Sequence, residues 1–191
     1  MTDVDPDVVT TSRLVVRPPR EADRERFVEF FGAEDFMVFY PRVLTEAEAN
    51  DRFDHMLDVC RTIPFGKQPV VERSSGRVVG YTGVDYIDIE GTTWLEWGWR
   101  LIPECRGRGY ATEAGRALLA KANQVHDGEL LAMIDPANLP SQNVCRKLGF
   151  RFWKQAPVDG ATHNLYTLRV GGAAPSGGPA DVLARPDDEG P

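Results

Sequence analysis

Apolar positions recur along this chain with two periods, and the changes between them mark the elements. Arg13-Leu14-Val15-Val16-Arg17 sets branched residues between charged ones and predicts a short strand, ended by Pro18 and Pro19. The polar first ten residues, which include Pro6, predict a loose leader over residues 1–10. Ala22, Phe27, Phe30 and Phe31 fall near helical spacing, so Glu21 to Phe31 reads as a helix with Gly32 as its terminator. Thr45 and Glu48 have the spacing of a capping box, in which each side chain satisfies the other's free backbone N–H. A second helix is therefore expected from Thr45 to about Arg61, with Phe53, Met56, Leu57 and Cys60 as its apolar face.

Extended patterns follow. Gln68 to Arg73 and Arg77 to Val84 read as two strands joined at Ser74-Ser75-Gly76, and Thr92 to Leu101 as a third. Gly107 to Val125 is helical with a glycine-rich entrance, Glu129 to Ile134 is a strand, and Pro140 to Leu148 is a short helix stopped by Gly149. Phe150 to Lys154 and Asn164 to Val170 are the last two strands. Residues 171–191, rich in Gly, Pro and Asp, lack the apolar content that would offset ordering and are expected to form a disordered tail. One domain over residues 11–170 is the expectation.

Composition narrows the function classes. No apolar run approaches the roughly 20 residues needed to cross a bilayer, and the first residues lack the basic start and apolar stretch of a signal peptide, so a cytoplasmic protein with no membrane partner is expected. Cys60, Cys105 and Cys145 offer neither a disulfide framework nor zinc spacing, and His55, His126 and His163 are scattered, so no metal is expected. A net charge of −7 disfavours nonspecific nucleic-acid binding and leans toward a basic acceptor.

The segment richest in chemistry is Arg106-Gly107-Arg108-Gly109-Tyr110-Ala111, between a strand and a helix. Glycines let the backbone turn its N–H groups inward, the helix start adds partial positive charge, and Arg106 and Arg108 add full charges, which together suit a pyrophosphate. On the loop alone, a plain glycine turn or an arginine-glycine patch touching RNA stays open. The loop does not fit the dinucleotide spacing GxGxxG, because Thr112 stands three after Gly109.

It does fit Arg106-x-x-Gly109-x-Ala111, the R/Q-x-x-G-x-G/A signature of the GNAT acetyltransferases. Trp94 to Pro103, Thr112-Glu113-Ala114, Asn138-x-x-Ser141, Lys147-Leu148-Gly149-Phe150 and Thr11 to Arg17 resemble, in the same order, segments of the RimJ/RimL-like branch, so the similarity covers about Thr10 to Val170. The resemblance implies an α/β fold: a mixed, mostly antiparallel central sheet, splayed at its centre and flanked by helices. It implies acetyl-CoA as acyl donor, with pantetheine against the backbone of Trp99, Arg100 and Leu101 and pyrophosphate on Arg106, Gly107, Arg108, Gly109, Tyr110 and Ala111. The implied acceptor is a primary amine, on a protein N-terminus or a small molecule, and a homodimer stays open.

Transfer to an amine needs a base, an oxyanion site and a proton for the departing thiolate. Glu96, in an aromatic strand segment where the family often keeps a glutamate, is the candidate base, against the alternative of pairing with Arg100. Where many relatives carry a tyrosine as acid, this chain has Cys145, and Ser141 is the substitute candidate. Asn138 is similar to the family's cofactor-contacting asparagine, against the alternative of simple helix capping. The change at Cys145 favours one competing reading, a noncatalytic acyl-CoA-binding regulatory module.

Overall fold

The computed structural model describes residues 7–172. The leader expected over residues 1–10 ends earlier than its polarity suggests: Val9–Thr10 forms β1, antiparallel to β2 (Leu14–Val16), with Val9 opposite Val16. Asp7 also ion-pairs with Lys121. Residues 1–6 and 173–191, which hold the rest of the expected leader and nearly all of the expected tail, lie outside the described residues.

The remaining elements are α1 (Arg24–Gly32), α2 (Glu46–Thr62), β3 (Gln68–Glu72), β4 (Val78–Ile89), β5 (Thr92–Leu101), α3 (Tyr110–Val125), β6 (Gly128–Ile134), α4 (Leu139–Leu148), β7 (Arg151–Val158) and β8 (Ala161–Val170). Single turns of 3-10 helix at Glu21–Asp23 and Pro103–Cys105 precede α1 and α3. The strands form one mixed, mostly antiparallel sheet in the order β1-β2-β3-β4-β5-β6-β8-β7, with β5 and β6 parallel. Among the described residues no helix is long and apolar enough to cross a membrane. The chain divides into two compact units, Met1–Asp85 with Gly98–Ala122 and Tyr86–Trp97 with the residues from Asn123 onward.

In the first unit, aromatic packing sets the core. Phe27 of α1 lies 5.3 Å from Phe53 of α2 and 6.3 Å from Tyr81 of β4, and Phe30 stacks on Phe36 at 4.5 Å. Such pairs contribute about 0.5–1.5 kcal/mol each beyond simple burial. The expected capping box forms at α2, Thr45 Oγ1 accepting the Glu48 N–H and Glu48 accepting the Thr45 N–H. β4 carries a bulge at Val79, since Val70 pairs with Gly80 and Val71 with Val78. Gly80 is required there, because a Cβ would stand 2.0 Å from the Arg100 carbonyl oxygen.

In the second unit, Ile89, Trp94, Leu131, Ala156, Val158 and Leu165 form the buried cluster. β7 and β8 are longer than the sequence pattern indicates and make one hairpin. It turns at Asp159 and Gly160, whose φ values of 50° and 79° are those of a type I′ turn. β6 pairs along its whole length with β8 and in parallel with β5 at Leu95↔Leu130 and Glu96↔Leu131. Gly149 ends α4 in the left-handed conformation, and the Phe150 N–H closes the last turn on the Cys145 carbonyl.

Candidate functional site: an open helix start

β5 leads into the candidate site through the Pro103–Cys105 turn, where the Arg106 N–H bonds the Pro103 carbonyl at 3.1 Å. Gly107 and Gly109 then take φ values of 72° and 80°, which side chains resist, and the first helical bond of α3 runs from Glu113 N–H to Gly109 O at 3.0 Å. Among the described residues, no acceptor faces the backbone N–H groups of residues 107–112. Residues 106–109 are exposed. Unsatisfied donors at a helix start, together with the helix dipole, attract anions.

The loop is held from several sides. Arg13 donates to the Arg108 carbonyl at 3.0 Å and to Glu113 at 2.7 Å, while Glu113 also accepts from the Arg13 N–H and the Thr11 hydroxyl. Burial raises the Glu113 pKa, but these hydrogen bonds outweigh it and hold the carboxyl below its ordinary value. The Tyr110 hydroxyl donates to Glu72 at 2.7 Å. That bond holds the Glu72 carboxyl below the usual range and pushes the Tyr110 phenol up. The Arg13 and Arg108 guanidiniums each lie 4.7 Å from the Tyr110 ring centroid. Sequence reading missed Arg13, Glu72 and Glu113 as supports. Glu113 in the first turn of α3 was a usable signal, whereas nothing local links Glu72 to Tyr110 across 38 positions.

The two loop arginines differ. Arg106 donates through Nε to the Leu101 carbonyl at 3.0 Å and through Nη2 to the Asp35 carbonyl at 2.5 Å. With its backbone N–H also taken, Arg106 anchors the loop and keeps its charge and three of its five side-chain N–H donors for a phosphate. Arg108 is half exposed, meets Glu72 at 3.4 Å and lies over the Tyr110 ring, contacts weak enough for its guanidinium to turn to a ligand as well. Of the other residues expected to contact the cofactor, Trp99 and Arg100 are half-buried and Leu101 is buried at the end of β5.

Glu96, taken by itself, is half-buried on β5 opposite Leu131. In the first unit the Arg100 guanidinium lies among aromatic rings. In the second unit Asn138 caps α4, its Oδ1 accepting the Ser141 N–H at 3.1 Å, while its amide nitrogen keeps two donors for another contact. Ser141 is half-buried in the first turn of α4. Cys145 is fully buried, and burial pushes its thiol up to about 12. A thiol pushed that far above the ordinary cysteine value of about 8.5 is a poor proton donor to a departing thiolate.

Of the nearby aromatic residues, Phe36, Trp94 and Trp97 are core, while Phe39 and Tyr40 are exposed. A further buried carboxylate escaped sequence reading. Asp85 is 5% exposed and is met by His55 at 2.7 Å, Arg52 at 3.0 Å and Lys67 at 3.6 Å. Burial raises its pKa, yet the His55 hydrogen bond and the two cations outweigh that and keep it ionised.

Comparison with known proteins gives this arrangement a family. Residues 13–151 match the acetyltransferase (GNAT) domain model. An N-acetyltransferase of Bacillus subtilis, YnaD, is 28% identical over 147 residues, covering 75% of this chain and 82% of that one. A GnaT-family acetyltransferase structure from Bordetella pertussis superposes with a TM-score of 0.75 at 27% identity, covering 84% of this chain and 98% of its own. The RimL ribosomal L7/L12 α-N-protein acetyltransferase, solved with coenzyme A, shares the fold at a TM-score of 0.69 and 12% identity, over 85% of this chain and 98% of its own. The matched residues include the glycine loop and the open start of α3, and the chain belongs to the GNAT acetyltransferase family.

Proposed function

We propose that this protein is an acetyl-CoA-dependent N-acetyltransferase of the RimJ/RimL-like branch that acts in the cytoplasm. The observation that carries the reading is the run of acceptor-free N–H groups over residues 107–112 at the exposed start of α3. The donor's pyrophosphate is assigned to Arg106, Gly107, Arg108, Gly109, Tyr110 and Ala111, with the Arg108 guanidinium turning from Glu72 toward it. Pantetheine is assigned to the backbone of Trp99, Arg100 and Leu101. The RimL relative's bound coenzyme A supports the choice of donor.

The acceptor nitrogen, once deprotonated, attacks the thioester carbonyl carbon directly in a ternary complex. A C–N bond forms, and the tetrahedral oxyanion is stabilised by backbone N–H groups near Trp99. The C–S bond then breaks, and the thiolate leaves with its electron pair and takes a proton. Glu96 receives one proton from the ammonium, through water, before attack; the proton that the nitrogen sheds after attack passes to the Ser141 hydroxyl as that hydroxyl gives its own proton to the thiolate, so Ser141 ends neutral. Asn138 contributes its amide nitrogen to the donor while its oxygen caps α4.

The test is calorimetric titration of acetyl-CoA into the full chain, followed by a free-thiol assay against amines and N-terminal peptides. Saturable binding with amine-dependent release of CoA is the expected result, and absence of binding would remove the reading.

A further inference from the structure

Arg13, Arg17, Arg24 and Arg42 each ion-pair with a carboxylate. Arg100 does not. Among the described residues neither a carboxylate nor a carbonyl accepts from its guanidinium, and its one polar contact is Nη1 at 2.8 Å from the Met37 sulfur, a weak acceptor. The guanidinium instead lies 4.3 Å from the Tyr40 ring centroid, 5.6 Å from Phe36 and 6.0 Å from Tyr81. Ring faces attract a cation but leave its planar fork of N–H donors unsatisfied. A half-buried arginine in that condition is complementary to a planar oxyanion, which it can take through two parallel hydrogen bonds.

The surroundings say where such an anion would enter. Phe36 and Tyr81 are buried and close the cage on the core side, whereas Val38, Phe39 and Tyr40 are 56%, 49% and 43% exposed. The same segment is tied to the phosphate loop, because Arg106 bridges the Asp35 and Leu101 carbonyls. Arg100 is therefore presented beside the site assigned to the donor, on the strand that carries Glu96 four residues earlier. The donor's pyrophosphate is assigned to the α3 start, and its pantetheine, which lies along the backbone of this strand, carries no anion. An oxyanion for Arg100 has to come from the other substrate.

We infer that Arg100 anchors a carboxylate of the acceptor, so that the acceptor is a small amine that also carries a carboxylate, with an apolar group to set against Val38, Phe39 and Tyr40. This rests on the acetyltransferase reading and narrows its substrate class. The residue acts in binding, and the reaction itself stays with Glu96 and Ser141.

The experiment uses the full chain saturated with CoA, titrated calorimetrically with the free amino acids and with their matching carboxamides, alongside thiol release from acetyl-CoA with the same panel. The expected result is at least about tenfold preference for the acid over the amide of the best-bound pair, as hydrogen bonds to a charged group imply. Arg100→Gln brings that ratio to about one. Arg100→Lys, which keeps the charge and loses the fork, retains part of it and guards against loss of fold in the first variant, checked by thermal melting. Equal use of acids and amides by the wild type, no saturable binding of any carboxylated amine, or a preference unchanged in both variants overturns the inference. So does a rise in KM confined to acetyl-CoA, which would assign the guanidinium to a donor phosphate. Failure of the wild type to bind acetyl-CoA at all is a separate result, and it removes the acetyltransferase reading instead.

Discussion

At the start of α2 the Thr45 hydroxyl accepts the Glu48 N–H and the Glu48 carboxylate accepts the Thr45 N–H, whereas at the start of α3 the N–H groups of residues 107–112 face no acceptor among the described residues. The first helix end is closed by its own side chains. The second begins after Gly109, which has no side chain to offer, and its one acidic residue of the first turn, Glu113, is turned to Arg13 and Thr11. A capped start contributes to stability, and a start left open while its neighbours are firmly anchored is preorganised for an outside anion. The difference separates what the chain does to fold from what it does to bind.

The largest expected effect tests whether the α3 start governs binding alone. Glu96→Gln should lower kcat by about 10²–10⁴-fold, the usual contribution of a general base, while acetyl-CoA affinity stays at the wild-type level. Gly109→Val comes next. A β-branched residue at φ 80° carries about 1–3 kcal/mol of strain, and its Cβ would stand 3.5 Å from the Arg13 Nη2, so calorimetry should show acetyl-CoA affinity reduced by about 10- to 100-fold. Arg108→Gln should weaken binding by about tenfold or less, most clearly at low salt, and Arg106→Gln should do so while also lowering the melting temperature. Thr45→Ala on the closed helix should cost about 1 kcal/mol of stability and leave acetyl-CoA affinity unchanged.

A pH titration refines the comparison. Glu72 and Glu113 both have pKa values below those of the unfolded chain, so their contribution is present above the ordinary carboxylate range, about 4.3, and is lost as pH falls through their lowered values. Glu113→Gln should flatten that acid limb of the stability curve, measured by thermal melting.

Local chemistry was legible in the sequence where it acts over a few residues. The Thr45 and Glu48 spacing located α2, Gly149 marked the end of α4, and Thr92 to Leu101 are the bounds of β5. Long-range satisfaction was not legible. The strand read from Arg77 to Val84 continues past Val84 as β4, and Asp85 sits in it with its charge compensated by His55, Arg52 and Lys67. Pro157, with the exposed Phe152 and Trp153, disguised β7, which as the outermost strand of the sheet order tolerates a proline that a central strand would not. At the site, the glycine loop was readable because its spacing is local. That Arg106 also holds the Leu101 and Asp35 carbonyls, and Asn138 the Ser141 N–H, depends on where a side chain turns once packed. The central claim is most directly tested by titrating acetyl-CoA calorimetrically into the wild type, Gly109→Val and Thr45→Ala side by side. The account predicts saturable binding to the wild type and Thr45→Ala and at least about tenfold weaker binding to Gly109→Val; equal affinity for all three would contradict it.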